Sequence, residues 1–194
     1  MSEVVKTDRR ILRTKQAITT AFLELFAKKD FEQITINEIA DRANVNRGTV
    51  YLHFSDKYEL LDKCMESHIQ ELISLCQSQD TGPIQPGVIR DPKPFFDYVQ
   101  EHYAFLSALF SNQRAFVFRD RLLHYIASSL TAKLERPDRA IDKEVNAQFM
   151  ASAFIGVVEW WIRHQMPHST KYMADQVHHL FSHSQGSPPA DTRN

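Results

Sequence analysis

Apolar residues recur along this chain at helical spacing, and no segment alternates in the way a half-buried strand would. Ile11, Ile18, Phe22, Leu25 and Phe26 share one face, and Thr7 or Asp8 can cap the segment, which predicts a first helix running to about Lys28. Lys28 and Lys29 then fall in its last turn, where positive charge suits the helix dipole. Thr35-Ile36-Asn37-Glu38 reads as a capping box, and Ile36, Ile39, Ala40 and Ala43 line one side of the short helix it opens. Asn44 tolerates the left-handed conformation a helix stop requires, and Val45 is the expected buried pin of the turn. Asn46 caps a third, very short helix over 47–52. Ser55 and Asp56 cap a fourth, from Lys57 through Leu60, Leu61, Met65, Ile69, Leu72 and Ile73 to about Gln77.

Gly82, Pro83, Pro86, Gly87, Pro92 and Pro94 make 78–94 a loop. Helical patterns resume over 95–110, 114–135, 138–165 and 169–183, with Pro137 and Pro167 at two of the breaks and Ser169 as a cap. From Gln185 onward, Gly186, Pro188 and Pro189 suggest a disordered tail.

At 194 residues, the chain has room for one domain or two small ones sharing a core. Hydrophobic residues make up 43% and only 5 residues are Gly, so an all-α core is expected. Lys and Arg total 23 against 24 Asp and Glu, a net of −1, which excludes a uniformly basic binder. The first thirty residues hold no continuous apolar run, so no secretory signal is read. The longest near-apolar run, 149–158, is too short for a membrane span. Cys64 and Cys76 fall on one predicted helix about 18 Å apart, too far to pair. A cytoplasmic location without membrane contact is expected.

Two short helices joined by a tight turn, the second polar, form a helix-turn-helix arrangement. Val50 faces inward on the third helix, while Arg47, Thr49, Tyr51 and His53 can face outward. Arg47 can fork onto guanine, Thr49 offers a hydroxyl and a methyl, and Gly48 permits close backbone approach. Tyr51, His53 and Lys57 suit phosphates, the last beside backbone amides at a helix start. Residues 1–29 carry 7 basic and 3 acidic side chains, a net of +4, with Lys6, Arg9, Arg10 and Arg13 as a candidate arm for phosphates or the minor groove.

The stretch from Ile34 to Leu61, with its Thr-Val-Tyr-x-His-Phe and x-Asp-Lys-x-x-Leu-Leu signatures, resembles the DNA-binding domain of the TetR (TetR/AcrR-like) family over about residues 8–65. The resemblance implies a non-enzymatic, cofactor-free dimeric transcriptional regulator, usually a repressor, that binds palindromic operator DNA. It implies phosphate contacts at Thr35, Tyr51, His53 and Lys57 and base reading at Arg47, Gly48 and Thr49. Asn44 stands where the family has a turn Gly, and Asn46 where it has a capping Ser. The expected organisation is a three-helix DNA-binding domain over 1–57, a helical ligand-binding and dimerisation domain over 58–184, and a tail over 185–194. Phe95-Phe96-Asp-Tyr-Val-x-Glu-His-Tyr and Gly156-Val-Val-Glu-Trp-Trp are similar to a subset that includes regulators beside dihydroxyacetone kinase operons.

Three readings compete for the second half. In the first, Phe96, Tyr103, Phe110, Phe118 and Trp160 line a pocket for a small apolar effector. Filling it would push on the fourth helix and swing the DNA-binding head. In the second, a protein partner replaces the effector and little cavity is needed. In the third, a helical metalloenzyme uses histidines such as His164, His168, His179 and His183, but zinc-binding patterns are absent and no metal is expected. Trp160 and Trp161 diverge by about 100° on a helix, so one can pack inward while the other reaches a seam or pocket. A homodimer seam is expected along 138–165 and 169–183. It would use Phe149, Ala153, Ile155, Val157, Val158 and Ile162 with Tyr172, Val177, Leu180 and Phe181, and Ala153 and Gly156 would allow close approach.

Overall fold

The computed structural model describes residues 2–77, 91–112, 115–133 and 142–183. Among them every regular element is helical: α1 (Ser2–Phe26), a 3-10 turn (Phe31–Gln33), α2 (Ile36–Arg42), α3 (Arg47–Tyr51), α4 (Lys57–Gln77), α5 (Lys93–Glu101), α6 (Tyr103–Phe110), α7 (Ala115–Lys133), α8 (Lys143–Arg163) and α9 (Thr170–His183). The all-α class read from the sequence is the class observed. The chain divides into two compact units, Met1–His68 and Ile69–Asn194, with the division inside α4.

The first unit is built on Phe22, Phe26 and Phe31, whose ring centroids lie 5.6 to 6.4 Å apart. Ile18, Ile39, Val50, Leu60, Leu61 and Met65 are buried with them. Each such side chain contributes about 1.5–3 kcal/mol by leaving water. That contribution matters most for α3, which at five residues is far too short to persist alone. Its tether is Val50, fully buried.

The front of α1 differs from expectation. The helix begins at Ser2, so Thr7 and Asp8 lie inside it rather than capping it. No residue from Arg9 to Ala17 is buried, and Ile11 is 41% exposed, because the core begins only at Ile18. Ending at Phe26, α1 also leaves Lys28 and Lys29 beyond its last turn.

In the second unit, 95–110 is two helices, interrupted at His102 (φ −103°, ψ 21°). The His102 ring stacks on Tyr98 at 4.0 Å, and its Nδ1 lies 2.9 Å from the Tyr98 carbonyl oxygen. Asp142 caps α8 by accepting from the amides of Glu144 and Val145, so the helix starts after the Pro137 break. Residues 138–141, the loop over 78–90 and the tail from Gln185 lie outside the described residues. Gln165 and Met166 turn the chain with φ of 59° and 53°, and the Trp161 indole N–H donates to the His168 carbonyl at 2.9 Å, closing that turn. The Ser169 hydroxyl then accepts from the Tyr172 amide to start α9. Among the described residues, no helix is long and apolar enough to cross a membrane.

Candidate nucleic-acid interface

The approach to α3 is set by side-chain caps. The Thr35 hydroxyl accepts from the Glu38 amide at 3.3 Å, and a Glu38 carboxylate oxygen accepts from the Thr35 amide at 2.9 Å, the reciprocal box read from the sequence. Lys29 donates to the other carboxylate oxygen at 2.6 Å. Lys29 first, and Thr35 after it, hold the Glu38 carboxyl down at about 2. α2 then stops at Ala43, and Asn44 takes φ 52°, the left-handed turn conformation its side chain tolerates. The Val45 amide closes the turn onto the Ala40 carbonyl at 3.0 Å. Val45 itself is only half-buried, so the pin of this motif is Val50, one helical segment later.

Asn46 caps α3 by accepting from the Gly48 amide at 2.9 Å. With Val50 inward, Arg47, Gly48, Tyr51 and Leu52 are exposed, and Thr49 and His53 are half-buried beside them. A Cβ on Gly48 would meet only the Asn46 carboxamide oxygen, at 3.6 Å, so the fold itself does not demand glycine there. Arg47 donates to the Tyr51 hydroxyl at 3.1 Å and lies 5.4 Å from that ring's centroid. Leu52, 81% exposed, joins this face without having been expected there. Its place one turn after Gly48, on the outward side, is the signal that could have found it.

Lys57 sits differently from an open phosphate ligand. Its ammonium donates to the carbonyls of Phe31 at 3.0 Å and Glu32 at 2.9 Å, and pairs with the Glu32 carboxylate at 3.6 Å. The rings of Phe31 and Tyr58 flank it, at 4.8 and 5.5 Å from their centroids. The start of α4 is also occupied: Asp56 accepts from the amides of Tyr58 and Glu59, so these amides are not left for an anion. Ser55 donates through its amide and hydroxyl to Glu59, lowering that carboxyl's pKa.

In the second unit, a space of only about 10 Å³ is enclosed by Leu72, Phe95, Val99, Leu106, Phe110, Phe118, Leu122, Ile155, Val158 and Ile162. Ligand sites usually measure roughly 300–1,000 Å³. Of the five aromatic residues expected to line a pocket, Phe110 and Phe118 do so. Phe96 packs instead against Phe95, Phe154 and Trp161. Tyr103 is half-buried away from the lining, and Trp160 is 42% exposed, its ring beside His164 and His168. Trp161 is the inward member of the pair. Ala153 is exposed and Gly156 has open space above it, so both sit on the outer side of α8. Among the described residues, no three His, Cys, Asp or Glu side chains gather to hold a metal ion.

Residues 18–64 match the family profile described as bacterial regulatory proteins, tetR family, and residues 93–183 match one described as a transcriptional regulator C-terminal region. A 70-residue stretch is 34% identical to the "Probable acrEF/envCD operon repressor" of Escherichia coli K12, covering 35% of this chain and 32% of that protein. The matched stretches span between 18% and 57% of the length of the curated relatives. A TetR-type regulator structure from Syntrophomonas wolfei superposes with a TM-score of 0.71 at 18% identity, covering 92% of this chain and 98% of that one. The dihydroxyacetone kinase operon activator DhaS superposes at 0.66 and 20% identity, covering 88% and 95%. At these identities the two structures share the fold.

Proposed function

The chain belongs to the TetR family of bacterial regulatory proteins, and on that premise we propose that it is a dimeric, sequence-specific DNA-binding regulator of transcription, acting in the cytoplasm as a repressor. The observation that carries the DNA reading is α3 itself. A helix too short to stand alone is anchored by buried Val50 and presents Arg47, Gly48 and Tyr51 outward from a capped turn. In this reading Arg47, Gly48 and Thr49 meet base edges, and Thr35, Tyr51 and His53 meet phosphates. Lys57 supports them by holding the start of α4 on the 3-10 turn. The reading head expected over 1–57 then takes in the start of α4, since its compact unit runs to His68, and the regulatory and dimerisation part follows it.

A second copy of the chain is the partner on α8 and α9. Phe149, Tyr172 and Leu180 of the expected seam, with Val145 and Trp160, are large apolar side chains left at least two-fifths exposed, whereas Ile155, Val158, Ile162, Val177 and Phe181 of that seam are buried in the chain's own core. Such a patch favours association. Pairing would present two reading heads about 34 Å apart to the halves of a palindrome.

For release, the wholly apolar lining of the enclosed space supports a small apolar effector, which would have to open it. The small size of that space favours a second reading, control by a protein partner. Selection of bound sequences from random duplexes tests the DNA reading, and recovery of one palindromic motif is the expected result. Failure of apolar compounds to weaken binding to that motif would sink the effector reading and leave the protein partner.

A further inference from the structure

Resting on the DNA reading above, we propose that Tyr51 is a positioning residue for Arg47: it sets the direction from which the guanidinium reaches a base, so base selection depends on Tyr51 through Arg47. The two residues are four apart on α3, which stacks their side chains on one face. An Nη2 of Arg47 donates to the Tyr51 hydroxyl at 3.1 Å, and the guanidinium carbon lies 5.4 Å from the ring centroid. Among the described residues no carboxylate reaches this guanidinium, so Tyr51 is what orients it.

The donor inventory makes the arrangement workable. Guanidinium has five N–H groups, and one bond to the phenol leaves a two-donor edge for the O6 and N7 of guanine. The phenol accepts from Arg47 with its oxygen and keeps its own proton to donate to a phosphate. Tyr51 can therefore tie the base reader to the DNA backbone. An arginine stem otherwise carries large rotamer freedom, and holding it near its bound direction reduces what is lost on binding.

The test is a cycle of Tyr51→Phe and Arg47→Ala on the full-length protein, each variant read by selection from random duplexes and by affinity for the selected motif. Tyr51→Phe keeps the ring and removes the hydroxyl, and Tyr51→Ala removes both. Both should leave helix content unchanged, since Tyr51 is 45% exposed. Preference at the base pair that depends on Arg47 should fall about fivefold or more in Tyr51→Phe and further in Tyr51→Ala, with other positions unaltered. In the Arg47→Ala background, Tyr51→Phe should have no effect on that preference. An equal loss across all sequences in both backgrounds overturns the proposal and leaves Tyr51 a phosphate contact only. A wild-type protein that selects no motif overturns the DNA reading itself, and this inference with it.

Discussion

The Lys57 ammonium is seated on the Phe31 carbonyl oxygen at 3.0 Å, fastening the first turn of α4 to the 3-10 turn that precedes the helix-turn-helix. The Glu32 carbonyl accepts a second hydrogen bond and the Glu32 carboxylate pairs with the ammonium at 3.6 Å, so its close partners lie inside the fold.

Lys57→Met should therefore act first on stability. Hydrogen bonds to a charged donor contribute about 1.5–3 kcal/mol, and the loss should appear as a lower urea midpoint with an unchanged slope. The salt dependence of DNA binding should keep its slope, whereas removal of a true phosphate contact lowers it by about one.

Gly48→Ala separates folding from reading. Its Cβ has room, so replacing a helical glycine should raise stability by about 0.5–1 kcal/mol. Operator affinity should drop all the same, because the added methyl stands on the exposed face proposed to meet the groove. Thermal unfolding and a binding titration on the same sample check both halves.

Acid should expose the capping box. The Glu38 carboxyl is lowered from 4.5 to about 2, chiefly by Lys29. A depressed carboxylate adds stability above its unfolded pKa and loses it as pH falls through the folded one. Glu38→Gln should thus be less stable than wild type at pH 7, and the gap should close between pH 4.5 and about 2. Urea midpoints measured across that range read the effect.

Phe149→Glu should convert the proposed dimer to folded monomers. The side chain is 63% exposed, so helix content should survive while sedimentation at micromolar concentration shows half the mass. Operator affinity should fall with it, since one reading head covers only a half-site.

Cys64 is buried, and burial pushes its thiol up to about 12. At pH 8 almost no thiolate is present to react. Thiol reagents should label it only as fast as the first unit opens, and labelling should accelerate in Lys57→Met.

The sequence by itself determined what is local. The Thr35–Glu38 box, the left-handed Asn44 and the Asn46 cap all depend on residues within about five positions, where side-chain chemistry and backbone preference decide the geometry. The all-α class followed from periodicity for the same reason. Tertiary structure decided the rest, because it depended on which surfaces meet. Ile11 carries the right spacing for a core face but lies before the point where the core starts. Trp160 and Trp161 are adjacent in the sequence, and packing against Phe96 together with the indole bond to the His168 carbonyl seats the second one inward. Lys57 finds its partners some twenty-five positions earlier, where the Phe31 and Glu32 carbonyls end at the 3-10 turn. Around the aromatic stripe read as a pocket, Phe95, Leu106, Leu122 and Ile155 line, with Phe110 and Phe118, a space of only about 10 Å³, a packing that spacing alone could not show.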